Sequence, residues 1–148
     1  MVIKTANFGE IDIREEDVLV FEDGLPGFEN RHKFGFVKSG NPDSPFIWIQ
    51  SLEDTELAFA LVDPFAVKKD YDFELKEDNA KQLGIEESAQ VLVYAIVVVP
   101  EDIKKISMNL KAPIIINKTN NMAAQIILDT DKYTVRHLIM DELLKREV

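Results

Sequence analysis

The sequence predicts a mainly β fold, an antiparallel β-barrel or roll with one or two short helices and a candidate C-terminal helix. Short β-branched or alternating segments follow one another at close spacing, polar turn residues separate them, and helical periodicity is scarce. Closely spaced strands of this kind are typical of barrels, rolls and sandwiches. The chain has 148 residues, of which 46% are apolar, and no linker or repeat interrupts it, so we expect a single domain over residues 1–148.

The predicted strands cover most of the chain. They are residues 2–7, 10–13, 17–21, 33–38, 46–52, 57–63, 71–75, 90–99, 106–110, 113–117 and 123–129. Two pairs of neighbouring strands predict hairpins: one has the acidic tip 53–56, and the other has Lys-Thr-Asn-Asn at 118–121.

Helical signals are confined to three places. Residues 77–83 predict a two-turn helix that Gly84 ends, and a single turn is expected after Pro100. The last segment, LIMDELLKREV, predicts an amphipathic helix with an apolar stripe through Leu138, Leu143 and Leu144.

The stretch FEDGLPGFE, residues 21–29, predicts a rigid corner. Proline favours the second position of a β-turn and glycine the third position of a type II turn, so Pro26 and Gly27 fit that template. Gly24 lets the chain leave the preceding strand at an unusual angle. We assign Gly24, Pro26 and Gly27 to structure, because the surrounding carboxylates would repel a phosphate.

Composition excludes several classes of protein. The chain has 27 acidic and 17 basic residues, a formal net charge of −10, which repels nucleic acid and favours basic partners. It has no cysteine, which excludes disulfides and thiolate sites. The longest apolar run, VLVYAIVVV at 91–99, is far shorter than the roughly 20 residues of a membrane helix. Without a secretory signal at the start, we expect a cytoplasmic protein with no membrane or direct nucleic-acid contact.

Candidates for chemistry are few. His137, Asp141 and Glu142 have the spacing of a weak metal site, but a capped or solvent-facing histidine is the simpler interpretation, and His32 has an exposed-loop composition. No nucleophile elbow, zinc-protease helix or phosphate loop occurs. We therefore expect no enzyme activity, metal or cofactor. The alternative is a small β-barrel enzyme or ligand-binding module that uses carboxylates in a cleft.

Acidic residues cluster at predicted turns. If they converge, they form a negative face suited to a basic protein, and they are our candidate partner-binding residues. The set consists of Glu22, Asp23, Glu29, Glu53, Asp54 and Glu56.

Several of these segments, taken in order, resemble the FliW family of flagellar assembly factors. The matching segments are FEDGLPGFE at 21–29, PFIWIQSLEDTELAFALVDPF at 45–65, VYAIVVVP at 93–100, MNLKAPIIIN at 108–117 and AAQIIL at 123–128. The ordered set spans nearly the whole chain and is far more specific than any one of its members.

The resemblance implies a monomeric, mainly β protein without catalysis that serves flagellum biogenesis as a protein-binding chaperone and translation regulator. Proteins of this family bind the RNA-binding translational regulator CsrA and also flagellin. Holding CsrA relieves the repression of flagellin translation. Newly made cytoplasmic flagellin competes for the same protein and frees CsrA, which couples flagellin synthesis to secretion.

Overall fold

The computed structural model describes residues 1–38 and 44–145. The strands are β1 Val2–Thr5, β2 Gly9–Asp12, β3 Leu19–Phe21, β4 Lys33–Lys38, β5 Phe46–Ser51, β6 Ala58–Val62, β7 Val91–Val98, β8 Ser107–Met108, β9 Ile114–Asn117, β10 Met122–Gln125 and β11 His137–Leu138. The α-helices are α1 Pro64–Val67, α2 Glu77–Gln82 and α3 Ile139–Lys145. Single 3-10 turns occur at Glu15–Asp17, Ser88–Gln90 and Ile103–Lys105, the last of them where a turn is predicted after Pro100.

Seven strands close into a barrel. Their order is β7-β6-β5-β4-β3-β10-β9, and β9 pairs back onto β7. The predicted class, a mainly β barrel with few short helices and a C-terminal helix, is confirmed. The barrel is not wholly antiparallel, because β3 and β10 run parallel, with Val20 opposite Met122 and Phe21 opposite Ala123. The hairpin of β1 and β2 forms a separate two-stranded sheet.

The barrel interior is a packed apolar core. Side chains alternate between the two faces of a strand, so Ile47 and Ile49 of β5 point inward while Trp48 packs outside. The buried members of the interior core are Leu19, Phe21, Leu25, Phe34, Ile49, Leu61, Ile114, Ile116 and Ala123.

The outer faces of the barrel wall are also apolar. Ala60 and Val62 of β6, with Ala95 and Val97 of β7, pack beneath the C-terminal third of the chain. A smaller outer cluster joins Leu83, Ile115 and Ile126 beneath α2. Strands buried on both faces have continuous apolar sequences rather than alternating ones. This explains the apolar part of β7 around Ala95 and Val97, which are buried on the outer face while Ile96 packs against the interior core.

The strand predicted at residues 71–75 is wrong. Tyr71 is buried and donates a hydrogen bond from its hydroxyl to the carbonyl of Leu110 at 2.9 Å. The Asp72 amide donates to the hydroxyl of Tyr133, and that hydroxyl donates to the Asp72 carbonyl, both at 2.9 Å. A side chain thus satisfies backbone groups that a neighbouring strand would otherwise pair. The alternating Tyr71, Phe73 and Leu75 reflect docking onto the barrel.

The C-terminal segment differs in detail from its prediction. Leu138 belongs to β11, which pairs with β8, and α3 begins at Ile139. The helix was predicted to have an apolar stripe through Leu138 and Leu143, and this is wrong. Leu138 and Leu143 are 36% and 39% exposed, whereas Ile139 is buried. The side chain of Leu144 and residues 146–148 lie outside the described part. Across residues 1–38 and 44–145, no helix combines the length and apolar character needed to cross a bilayer.

Candidate partner-binding surface

The corner after β3 is a tight turn. The amide of Phe28 donates to the carbonyl of Leu25 at 2.7 Å, and Gly27 has a φ of 87°. These are the hydrogen bond and the left-handed third residue of a type II turn. Gly24 also has a positive φ, 67°, and its amide donates to the carbonyl of Phe21 at 3.0 Å.

Gly24 is enclosed by its own corner. A Cβ atom at this position would lie 2.6 Å from the carbonyl oxygen of Phe28 and 2.7 Å from the Cα and carbonyl carbon of Glu29. All three are backbone atoms, so rotation of a side chain cannot relieve the clash. By contrast, a Cβ on Gly27 would meet no heavy atom within 4 Å. The corner therefore requires glycine at position 24 for space as well as for conformation.

Glu53 joins the hairpin tip to the start of β4, just after the corner. Its Oε1 atom accepts hydrogen bonds from the amides of His32 at 2.5 Å and Lys33 at 2.9 Å. The hydrogen bond from the His32 amide lowers the pKa of Glu53, and the Lys33 amide adds to that effect. The amide of Leu52 also donates to the carbonyl of Lys33 at 2.9 Å. The hairpin tip is therefore hydrogen-bonded to the residues that follow the corner in the chain.

This arrangement predicts a pH dependence. Because folding lowers the pKa of Glu53 below its ordinary 4.5, its contribution to stability is fully present above that pH and is lost as the pH falls through the folded-state pKa. The difference in free energy of unfolding between the wild type and Glu53→Gln should be largest above pH 4.5 and should shrink below it. Urea unfolding across a pH series measures this difference. A difference that stays constant through the acid range would contradict the assigned role.

Three further acids of the set have partners within the chain. Asp54 lies with Oδ2 at 3.7 Å from Nε of Arg31, and its Oδ1 accepts from the amide of Glu56 at 3.1 Å. Asp23 accepts from the side-chain amide of Gln82 at 2.8 Å. The carboxylate of Glu29 accepts from the amide of Gly27 at 3.1 Å, and this bond lowers the pKa of Glu29.

Glu22 and Glu56 are the remaining acids of the set. Both are exposed, and in the part of the chain that the structure describes neither side chain makes a hydrogen bond or ion pair. Their carboxylates therefore face solvent without a partner among the described residues. The other four acids help to hold the surface in shape.

Two residues of this surface were not assigned to it from sequence. Phe28 is 38% exposed, with its ring 5.6 Å from that of Phe59. Gln50 is fully buried, and its amide donates to the carbonyls of Ser51, Asp54 and Thr55, which fixes the hairpin tip. The alternation of β5 places Gln50 on the outer face, but its partners lie within the turn.

The histidines have structural partners. Nδ1 of His32 lies 3.0 Å from the carbonyl oxygen of Phe21. Nε2 of His137 lies 2.7 Å from Oε1 of Glu142, a carboxylate that is 8% exposed and 3.6 Å from Nζ of Lys68. Among residues 1–38 and 44–145, no three histidine or acidic side chains are placed to hold a metal ion.

Comparisons with known proteins agree on one family. The family described as FliW protein matches residues 2–139. The flagellar assembly factor FliW of Ruminiclostridium cellulolyticum is 60% identical over 148 residues, which cover 100% of both chains. The FliW of Caldanaerobacter subterraneus subsp. tengcongensis is 47% identical over 143 residues, 97% of this chain and 95% of that one.

A solved structure supports the same relationship. A crystal structure of the flagellar assembly factor FliW superposes with a TM-score of 0.86 at 32% identity, covering 94% of this chain and 96% of that one. Both the sequence and the barrel therefore match along nearly their whole length. The chain belongs to the FliW family, whose matched relatives are named flagellar assembly factors.

Proposed function

We propose that this protein is a non-enzymatic, monomeric flagellar assembly factor of the cytoplasm that binds and antagonises CsrA and is bound competitively by flagellin. Its family membership over the full chain carries the proposal. In this scheme the protein binds each partner stoichiometrically, and the partner in excess occupies it. Free flagellin displaces CsrA, and secretion of flagellin returns the protein to CsrA.

The acidic surface suits such a partner. A protein that binds RNA presents positive charge to phosphates, so an acidic partner attracts it at long range and rejects acidic competitors. Glu22 at the corner and Glu56 at the hairpin tip supply negative charge without a partner among the described residues, and the half-exposed ring of Phe28 supplies an aromatic group at the corner. Interfaces draw most of their affinity from a few such apolar anchors.

The carboxylates of this surface favour binding over catalysis. A carboxyl group that acts as a general acid near neutral pH needs a raised pKa, which burial in apolar surroundings provides. Hydrogen bonds from backbone amides instead lower the pKa of Glu29 and Glu53. Both carboxylates are therefore firmly ionised at neutral pH.

Calorimetry with the purified proteins tests the proposal. Titration with CsrA should give saturable binding, and flagellin added to the complex should displace CsrA. Retention of CsrA at saturating flagellin would overturn the competition, and no heat of binding with either protein would overturn the function.

The charge of the surface should appear in the association rate. Glu22→Gln combined with Glu56→Gln should slow association with CsrA by about two- to fivefold at low salt and flatten its salt dependence, because long-range attraction chiefly sets the on-rate. These two acids are preferred to Glu53 and Asp54, whose substitution would disturb the hairpin tip.

Stopped-flow kinetics over a salt series provides the measurement. The matched control is Glu10→Gln combined with Glu101→Gln, which removes the same charge from two exposed positions elsewhere. Equal slowing by both pairs would show that only net charge matters and would remove the corner from the interface.

A further inference from the structure

An apolar groove of about 580 Å³ lies on the outside of the barrel. Its lining includes Val91 and Val93 of β7 and Ile115 of β9, and Val93 lies directly opposite Ile115 in the sheet. Phe65 of α1 and Ala80 of α2 also border it. Phe65 is 41% exposed, although its ring lies 5.4 Å from that of the buried Tyr71.

The groove is a gap in the outer covering of the barrel. Elsewhere the outer face of β7 is closed over, since Ala95 and Val97 are buried beneath the C-terminal segment. Val91 and Val93 continue the same apolar face but are only half-buried. A strand that is apolar on both faces normally lies covered on both. This stretch therefore has the composition of a buried strand and the exposure of a binding surface.

The groove is bordered by negative charge. Glu74, Glu86 and Glu87 line it, and all three are exposed. The carboxylate of Glu87 is held in place by a reciprocal cap with Gln90. The neighbouring lysine of α2, Lys81, is already paired with Glu77 at 3.3 Å. The charged groups that line this apolar groove are thus acidic.

We propose that the groove binds a peptide segment of a partner protein that presents aliphatic or aromatic side chains flanked by lysine or arginine. Apolar side chains would complete the covering over Val91 and Val93, beside the fully buried Ile115, and the flanking cations would meet Glu74 and Glu86. This combination is the usual mode by which an amphipathic helix occupies a groove.

Charge also selects among the other occupants. A second copy of this chain, with a net charge of −10, would bring like charge to the acidic edge. An anionic lipid surface would be repelled in the same way. A basic amphipathic segment meets both the apolar lining and the acidic edge.

A synthetic peptide tests the groove without relying on the proposed function. A labelled amphipathic helical peptide of leucine and lysine should bind saturably, as followed by fluorescence anisotropy, whereas its leucine and glutamate counterpart should not. On binding, the methyl resonances of Val91, Val93 and Ile115 should shift in NMR spectra. Equal affinity for the two peptides, or unshifted resonances at these three residues, would overturn the proposal.

Two variants block the groove from different sides. Ala80→Trp, which fills it from α2, and Phe65→Ser, which removes a bordering ring, should each weaken peptide binding by about tenfold or more, as loss of a central apolar contact does. Ile127→Trp is the control, because Ile127 is 69% exposed and does not line the groove. Circular dichroism verifies that each variant folds. Wild-type affinity in both folded variants would overturn the proposal.

The acidic edge has its own test. Glu74→Gln combined with Glu86→Gln should weaken binding about threefold at low salt and have little effect at high salt, where exposed charges are screened. The pair Glu10→Gln and Glu101→Gln serves again as the control of equal net charge. Sedimentation of the protein alone completes the series: a dimer that Ala80→Trp abolishes would assign the groove to a second copy and overturn the proposal.

Discussion

Gly24→Ala is expected to lower the free energy of unfolding by about 3 kcal/mol, because the new methyl group adds a backbone clash to an unfavourable φ. The clash involves the Phe28 carbonyl oxygen at 2.6 Å, and the φ is 67°. The corner can accept the methyl group only by shifting the chain that carries Phe28 and Glu29. Urea unfolding followed by circular dichroism measures the loss.

Gly27→Ala is the matched control for this change. Gly27 also has a positive φ, 87°, but its Cβ would have open space around it. The expected loss is therefore about 1 kcal/mol, the conformational cost alone. Equal losses in the two variants would show that space around Gly24 has no part in the stability of the corner.

Glu142→Ala is expected to lower the free energy of unfolding by about 2–3 kcal/mol, since it removes the central carboxylate of a mostly buried ionic group. Glu142 is 8% exposed, and its Oε1 atom lies 2.7 Å from His137 and 3.6 Å from Lys68. The hydrogen bond to Asp70 raises the pKa of Lys68, and the charge of Glu142 raises it further. Removing Glu142 leaves His137 without this partner and loosens α3.

Asp141→Ala is the matched control on the same helix. Asp141 is exposed, so its removal should change stability by no more than about 0.5 kcal/mol. Hydrogen exchange provides a local readout, because amides of α3 should lose protection in Glu142→Ala before those of the barrel do. Unchanged protection of α3 would contradict the tethering role of Glu142.

Local patterns predicted most of the barrel. β5 and β6 pair through the acidic tip at 53–56, as the alternation of FIWIQSL and the apolar LAFALV indicate. β9 and β10 pair through the asparagine-containing turn, where Asn121 has a φ of 61°. In each hairpin the residues that favour the strands and the turn lie close together in the sequence, so the local sequence is enough to predict the pairing.

Other features depend on contacts that no local pattern shows. The apolar alternation from Tyr71 to Leu75 would suit a strand, but these side chains dock onto the outer barrel. β11 has only two residues and pairs at the edge of the sheet. The helix α1 is a different case. It was not predicted, although it has a local signal, since Asp63 caps it and Pro64 is its first residue.

The candidate surface could be predicted only in outline. Sequence located acids at two turns, and the structure ties the second turn to the residues that follow the first through the bonds from His32 and Lys33 to Glu53. The residues joined by these bonds are 21 and 20 positions apart in the chain, and their contact depends on the pairing of β4 with β5. Which of these carboxylates have hydrogen-bond or ion-pair partners within the chain can be learned only from atomic contacts.

The closure of the barrel has a consequence for synthesis on the ribosome. β3 finds its parallel neighbour only in β10, which begins at Met122, and β7 reaches β9 only at Ile114. A nascent chain that has emerged no further than β8 therefore carries two strands with an unsatisfied side, which readily recruit foreign strands. This exposure ends when the hairpin of β9 and β10 leaves the exit tunnel, because β10 then pairs with β3 and β9 pairs with β7.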